Sequence, residues 1–215
     1  MTKHRKSATA GRRKRLSPQI RRSQILDAAA KLIAKQGYLP LSIEALAQAA
    51  NSSKALIYTY FATQYDLFNA LLKREIEELA TSGAETASRV NELEQAALLC
   101  SMLYFERVAR FGPLLHILIT DLYMSERVDA EAIKTGNAIL QRLIRLAGNT
   151  LNLAKKELKA AIVMIATIPE EAGALAFQKE LDVATARQLC HSLTLSSLQA
   201  LRTPGRVTVA PDYAA

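Results

Sequence analysis

Tryptophan is absent from the 215 residues, and glycine (8), proline (6) and aromatic side chains (6%) are scarce. Together with abundant Ala, Leu, Gln and Arg, this poverty favours helix over strand, so an all-α chain is expected. The two cysteines, Cys100 and Cys190, are far apart on helical patterns and read as reduced core thiols of a cytoplasmic protein, not as a disulfide framework. Three scattered histidines supply no metal-ligand cluster, so no metal and no cofactor is expected. There is no G-x-S-x-G, no phosphate loop, no H-E-x-x-H and no cysteine with a helper histidine in register, so no catalytic residue is assigned. No uncharged run reaches the roughly 18 residues of a membrane span. Leu16-Ser17-Pro18 stands where a signal peptide would carry an apolar segment, so neither membrane nor export is expected.

Acid is missing from one region only. Residues 1–22 hold nine of the 28 basic residues (Lys3, Arg5, Lys6, Arg12, Arg13, Lys14, Arg15, Arg21 and Arg22), and the first acid is Asp27. The remainder carries 19 basic against 20 acidic residues, so the formal charge of +8 belongs to an arm and the body is nearly neutral. An unpatterned basic arm over 1–20 reads as a disordered segment for phosphate or minor-groove contact, with Arg12, Arg13, Lys14, Arg15, Arg21 and Arg22 as the contacting cations; the plain alternative is a solvated tail.

Half of the residues are hydrophobic, enough for a real core in one larger or two modest domains. The stretch 42–61, SIEALAQAANSSKALIYTYF, places Ile43, Leu46, Ala47 and Ala50 at i, i+3, i+4 and i+7, one apolar face of a helix that Ser42 caps. Asn51 tolerates the left-handed exit of a tight turn. Ser53 then caps a second short helix with Leu56, Ile57 and Phe61 inward and Ser52, Lys54, Ala55, Thr59 and one or both of Tyr58 and Tyr60 left to a short, polar, basic outside suited to a duplex groove. Read alone, the stretch is equally an ordinary helical hairpin.

A first helix is expected from Pro18 to Gly37 on the stripe Ile25, Ala29, Leu32 and Ile33, and Thr63 with Asp66 forms a capping box for a longer fourth helix. Over residues 22–72 the order of motifs resembles the TetR family of bacterial transcriptional repressors: ILDAAAKLIAKQGY, then SIEALAQAANSSKALIYTYF with its Tyr58-x-Tyr60-Phe61 ending, then ATQYDLFNALL. The resemblance covers about a quarter of the chain. It departs where Asn51 and Ser52 replace the usual Gly and Val, and where Gln64 replaces a Lys that commonly binds phosphate, a loss the basic arm would offset. The resemblance implies a helix-turn-helix DNA-binding domain over 21–80 and a helical effector-binding and dimerisation domain over 81–204, about nine helices in all, with a tail at 205–215. It implies that Ser53, Lys54, Tyr58, Tyr60 and Gln64 touch phosphates, that Ser52, Ala55 and Thr59 face bases or sugars, and that Ser42 belongs to the same DNA-binding surface.

Beyond residue 80 only periodicity speaks. Helices are expected over 91–110 (capped by Asn91 with Glu94 and buried all round in its middle), 114–124, 127–147 (ending at Gly148), 155–178 (kinked or split by Pro169) and from Asp182 to Pro204. Tyr104, Arg107, His116 and Tyr123 are the polar side chains of the most apolar helices; they line an effector pocket or are satisfied core and rim groups. Small residues on the last two helices, Gly173, Ala176, Ala186 and Cys190 with Leu193 and Ser197, fit a homodimer built as a four-helix bundle, or packing within one chain. The expected function is a dimeric, ligand-responsive repressor of double-stranded DNA, released by a small apolar effector. The alternatives are a sequence-nonspecific nucleoid binder driven by the arm, an activator, and a helical sensor whose DNA unit is vestigial.

Overall fold

The computed structural model describes residues 17–202. Ser17 opens α1 (Pro18–Gln36) by accepting from the Ile20 N–H at 3.3 Å, and Pro18 occupies a position where no N–H is needed. Ile25, Leu26, Ala29 and Ile33 form its buried stripe, and Gly37 leaves the helix at φ 81°, returning its N–H to Ile33. Serine caps likewise start α2 (Ile43–Ala49) and α3 (Lys54–Tyr60): Ser42 accepts from Ala45 N–H and Ser53 from Leu56 N–H. Between them Asn51 stands at φ 46°, the left-handed turn read from the sequence. α4 (Gln64–Leu79) begins with the expected reciprocal cap, Thr63 Oγ1 accepting from Asp66 N–H and Asp66 accepting from Thr63 N–H.

A wide turn at Ala80–Ala84, with Gly83 at φ 110°, and a single helical turn at Glu85–Ala87 lead to α5 (Leu93–Phe111). α6 (Leu114–Thr120), a tight turn at Leu122–Met124, α7 (Ala130–Thr150), α8 (Lys155–Ile165), α9 (Ile168–Gln178) and α10 (Val183–Arg202) follow, and no strand occurs among the described residues. The nine expected helices are present, the eighth being divided: 155–178 forms two eleven-residue helices meeting at Ala166 and Thr167, with Pro169 in the first turn of the second. By length and composition the 24-residue stretch Lys155–Gln178 could cross a bilayer. Neither half alone reaches the roughly 20 residues of a span, and Leu158, Ile162, Ile165, Gly173 and Ala176 are buried in this chain.

Other boundaries shift for local reasons. α5 starts after Glu92 with no side-chain cap, so the Asn91–Glu94 box does not form. Nor is its middle buried all round: Leu99 is 44% exposed. The helix expected over 114–124 stops at Thr120 because Asp121 turns extended and caps the Tyr123 N–H. α7 waits for Asp129, whose carboxylate takes the Glu131 and Ala132 N–H groups, and runs through Gly148 to Thr150. At Gly148 the missing side chain admits α8: an added Cβ would lie 3.3 Å from Leu158 Cδ2.

The core formed by α1–α4 continues into Leu114, Ile117 and Leu118 of α6, Met124, and Ala132 of α7, so the packing crosses residue 80 without a gap. A second cluster joins α5, α7, α8 and α10, and a third gathers Ala176, Ala186 and Cys190 around Phe105.

Candidate DNA-reading surface and ligand cavity

On α3, Ile57 and Phe61 are buried and anchor the helix, and Leu56 and Tyr60 are half-buried. Outside lie Ser53, Lys54, Ala55, Tyr58 and Thr59, with Tyr58 half exposed. Lys54 is paired with Glu44 on α2, and both are exposed, so a phosphate can compete for the ammonium at little cost. Ser42 accepts from Ala45 N–H and donates to Glu44 at 3.2 Å, while Thr59 Oγ1 donates to the Ala55 carbonyl. Gln64 Oε1 accepts from the Leu41 N–H at 3.1 Å, tying the α1–α2 connection to the start of α4 and leaving the amide NH2 for a phosphate. Beside this surface Arg22 lies 5.1 Å from the Phe61 ring centre, and Arg21 donates to Gln24.

Behind it, a cavity of about 310 Å³ lies among α4, α5, α6, α7, α8 and α10. Its wall is nearly all apolar: Ile76 and Leu79, Ala97, Leu115 and Ile119, Ile133, Leu140 and Leu143, Ile162 and Leu198. The polar wall groups are Cys100, Ser101, Tyr104, Thr135 and Asn137. Burial pushes the Cys100 thiol up to about 11, so it stays protonated at neutral pH and is no nucleophile. Tyr104 donates to Glu170 Oε2 at 3.2 Å, and the other carboxylate oxygen of Glu170 lies 2.7 Å from His116 Nδ1, a chain from the cavity wall to a half-exposed histidine. Burial raises the Tyr104 phenol far above its ordinary value, with the Glu170 carboxylate adding to the shift. Burial also raises Glu170, against the opposing pull of His116 and the Tyr104 hydrogen bond.

A raised carboxyl means that the folded chain holds that proton more tightly than the unfolded one. Its contribution to stability is therefore full below the ordinary value of 4.5 and is lost as pH rises through the raised folded value. Glu170→Gln, fixed neutral, is expected to lose less stability than the wild type between pH 4.5 and neutrality. Urea midpoints across that range check this, and parallel profiles would refute it.

Residues 121–129 hook the cavity helices to the reading unit. Asp121 Oδ2 accepts from the Leu39 N–H at 2.9 Å. The Tyr123 ring stacks on Tyr65 at 4.8 Å and 14°, and the Arg127 guanidinium lies 4.2 Å from the Tyr65 ring centre. Asn69 donates to the Arg127 carbonyl and accepts from the Asp129 N–H, each at 2.8 Å. A second tie is ionic: Asp27 of α1 pairs with Arg74, Arg74 reaches Glu75, and Arg107 of α5 joins Glu75 to Glu78.

Residues 25–71 match the sequence model described as bacterial regulatory proteins, tetR family. This stretch is a domain of the TetR type. The chain is 29% identical over 145 residues to the HTH-type transcriptional repressor KstR of Rhodococcus jostii (strain RHA1), a match covering 67% of each protein. A TetR-like transcriptional regulator from Rhodococcus sp. RHA1 has the same fold, with a TM-score of 0.66 over 86% of this chain and 99% of that one at 20% identity. The regulator FadR of Bacillus subtilis, solved in complex with stearoyl-CoA, superposes with a TM-score of 0.62 over 84% of this chain and 97% of that one, also at 20% identity. These relatives are transcriptional regulators and not enzymes.

Several residues singled out in the sequence stand elsewhere than expected. The Ser52 hydroxyl is buried with no hydrogen-bond partner, turned away from the surface where a base or sugar contact was expected. Of the four pocket candidates Tyr104 lines the cavity. Arg107 is drawn off by Glu75 and Glu78, Tyr123 by the Tyr65 stack, and His116 is linked to the cavity wall only through Glu170 and then Tyr104. Gly173, Ala176, Ala186 and Cys190 are buried within the chain and unavailable to a second copy: a Cβ at Gly173 would lie 2.6 Å from Val108 Cβ, and the others pack around Phe105. Small residues here let α9 and α10 approach α5 closely. Leu193 is 52% exposed and Ser197 half-buried on the outer side of α10. The cavity wall was missed because it is apolar. Its trace in the sequence is the set Ala97, Cys100, Ser101 and Tyr104 on one face of α5, small side chains that leave space beside one large ring. Arg12, Arg13, Lys14 and Arg15 lie outside the described residues.

Proposed function

We propose that the protein is a dimeric, ligand-responsive repressor that binds a palindromic operator and leaves it when a small, mainly apolar effector enters the cavity. It acts in the bacterial cytoplasm, on the nucleoid. The observation that carries this reading is the direct mechanical path between the two sites: α6 and α7 line the cavity, and the segment joining them grips Leu39, Tyr65 and Asn69 beside α3. A ligand that moves α6 against α7 displaces the reading unit through contacts already in place, along with α4. For a tenfold loss of operator affinity the ligand must prefer the released form by about 1.4 kcal/mol. Among the relatives the repressor is more similar than the transcriptional activator FasR of Mycolicibacterium smegmatis, 29% against 23% identity, which favours repression, and the neighbour solved with stearoyl-CoA supports a ligand with an apolar part.

Two recognition helices must present themselves to successive major grooves about 34–36 Å apart, which takes two copies. The outer stripe of α10, Leu189 and Leu193 with Ser196 and Ala200 one and two turns on, is exposed and is the face assigned to the partner copy. Leu193→Glu is expected to give monomers by light scattering at micromolar concentration and to weaken operator binding by more than tenfold. An intact dimer would move the interface elsewhere. The reading as a whole is tested by footprinting the purified chain on its own genome. Equal affinity for a recovered site and a random duplex, with the same salt slope near −0.9 per neutralised phosphate, would replace it with nonspecific DNA binding by the arm.

A further inference from the structure

The polar end of the cavity has a direction. Tyr104 belongs to a chain of titratable groups, Tyr104, Glu170 and His116, that α5, α9 and α6 contribute and that runs from the cavity wall out to the half-exposed histidine. Glu171, next in sequence to Glu170, is exposed. His116 Nδ1 lies 2.7 Å from the near oxygen of Glu170, which leaves the far oxygen, Oε2, to accept from Tyr104 at 3.2 Å and commits the phenolic hydrogen to Glu170. What Tyr104 has left for a ligand is its lone pairs.

An acceptor backed by a carboxyl group suits a ligand that brings its own O–H. It disfavours an anion, which would face oxygen lone pairs with the Glu170 carboxyl behind them. No lysine or arginine lines the cavity to neutralise such an anion. Size sets a second limit: 310 Å³ holds about ten groups of about 30 Å³ each, so the occupant is of medium length unless part of it remains outside.

We propose that the effector cavity is selective for a neutral, apolar molecule ending in a hydroxyl, bound by donation from that hydroxyl to Tyr104 Oη, and that it discriminates against the corresponding carboxylate. The proposal rests on the effector-cavity reading above and sharpens it by ligand class. Tyr104 here acts as a specificity-determining residue, and Glu170 and His116 act through it by fixing the direction of its hydrogen bond.

Three probes of nearly equal size separate the possibilities: decan-1-ol, which donates; 1-methoxynonane, which only accepts; and decanoate, which is anionic. Binding of each to the full chain and to Tyr104→Phe is measured by titration calorimetry near pH 7.5. The alcohol is expected to bind roughly three- to tenfold tighter than the ether, the worth of one neutral hydrogen bond, and at least about tenfold tighter than the carboxylate. In Tyr104→Phe the alcohol should fall to the affinity of the ether while the ether itself is unchanged, which also shows that the variant keeps its cavity. Decanoate binding as tightly as the alcohol, or an alcohol-to-ether ratio untouched by Tyr104→Phe, overturns the selectivity and leaves the cavity reading standing. If none of the three binds the wild-type chain, the cavity reading itself fails and this proposal fails with it.

Discussion

Ala55→Glu is expected to weaken operator binding by at least about a hundredfold while leaving the fold intact. Ala55 is exposed on α3 one residue after Lys54, at a position whose small side chain leaves the helix free to approach a base pair. A carboxylate there would be carried into a groove lined by phosphates, and like charges brought together in an interface cost several kcal/mol, about 2.7 of which account for a hundredfold. The same substitution is neutral or slightly favourable for the folded chain. Position 55 lies in the first turn of α3, where a negative charge interacts well with the helix N-terminus, and an exposed change of this kind moves stability by no more than about 0.5 to 1 kcal/mol. Fluorescence anisotropy on the footprinted site together with a thermal melt separates the two effects. Full operator affinity in the variant would sink the assignment of α3 as the reading helix, and a collapsed melting temperature would mean that Ala55 is part of the core.

Glu75→Leu is expected to cost about 3 kcal/mol of stability, the largest loss foreseen for any single charged residue of the chain. Glu75 is 4% exposed in the middle of α4 and is shared by Arg74 and Arg107. Arg107 is itself only 16% exposed. Removing the acid leaves Arg107 with Glu78 alone and Arg74 with Asp27 and Glu78, a partly desolvated cation short of its main partner, and broken buried pairs typically cost about 3 to 5 kcal/mol. Exposure of the outer members places the expectation at the lower end of that range. Converting both members, Glu75→Leu with Arg107→Met, should recover most of the loss, because the penalty belongs to the orphaned charge and not to the missing attraction. Urea unfolding of the two single variants and the double variant decides it. If the double variant is no more stable than Glu75→Leu, packing and not charge is what Glu75 provides.

Arg107 also shows where a sequence stops being legible. On α5 it reads as a polar residue on an apolar helix, and the same is true of Tyr104, three residues before it. Which of them meets the cavity depends on what α4 presents opposite, and Glu75 and Glu78 present acid to Arg107 while Glu170 reaches Tyr104 from α9. Those partners lie 29 to 66 residues away in the chain. Tyr123 was captured similarly, by Tyr65, and the small residues of α9 and α10 by Val108 and Phe105 on α5. A small-residue patch signals close helix approach without saying whether the approaching helix belongs to the same chain.

The parts that the sequence determined by itself are those whose physics is local. Ser17, Ser42, Ser53 and the Thr63–Asp66 pair cap their helices within three residues, Asn51 and Gly37 turn the chain where left-handed backbone is required, and Pro169 divides its helix because it has no N–H to give. With these in place the helix-turn-helix at 42–61 and the outward position of Lys54, Ala55, Tyr58 and Thr59 follow from helical period alone. Only the tertiary structure decided which faces of α5, α9 and α10 are used up within the chain, where the 310 Å³ cavity opens, and that residues 121–129 bind it to the reading unit. Each of these depends on pairs of side chains brought together across tens of residues, and no short-range pattern records the geometry that selects one such pair over another.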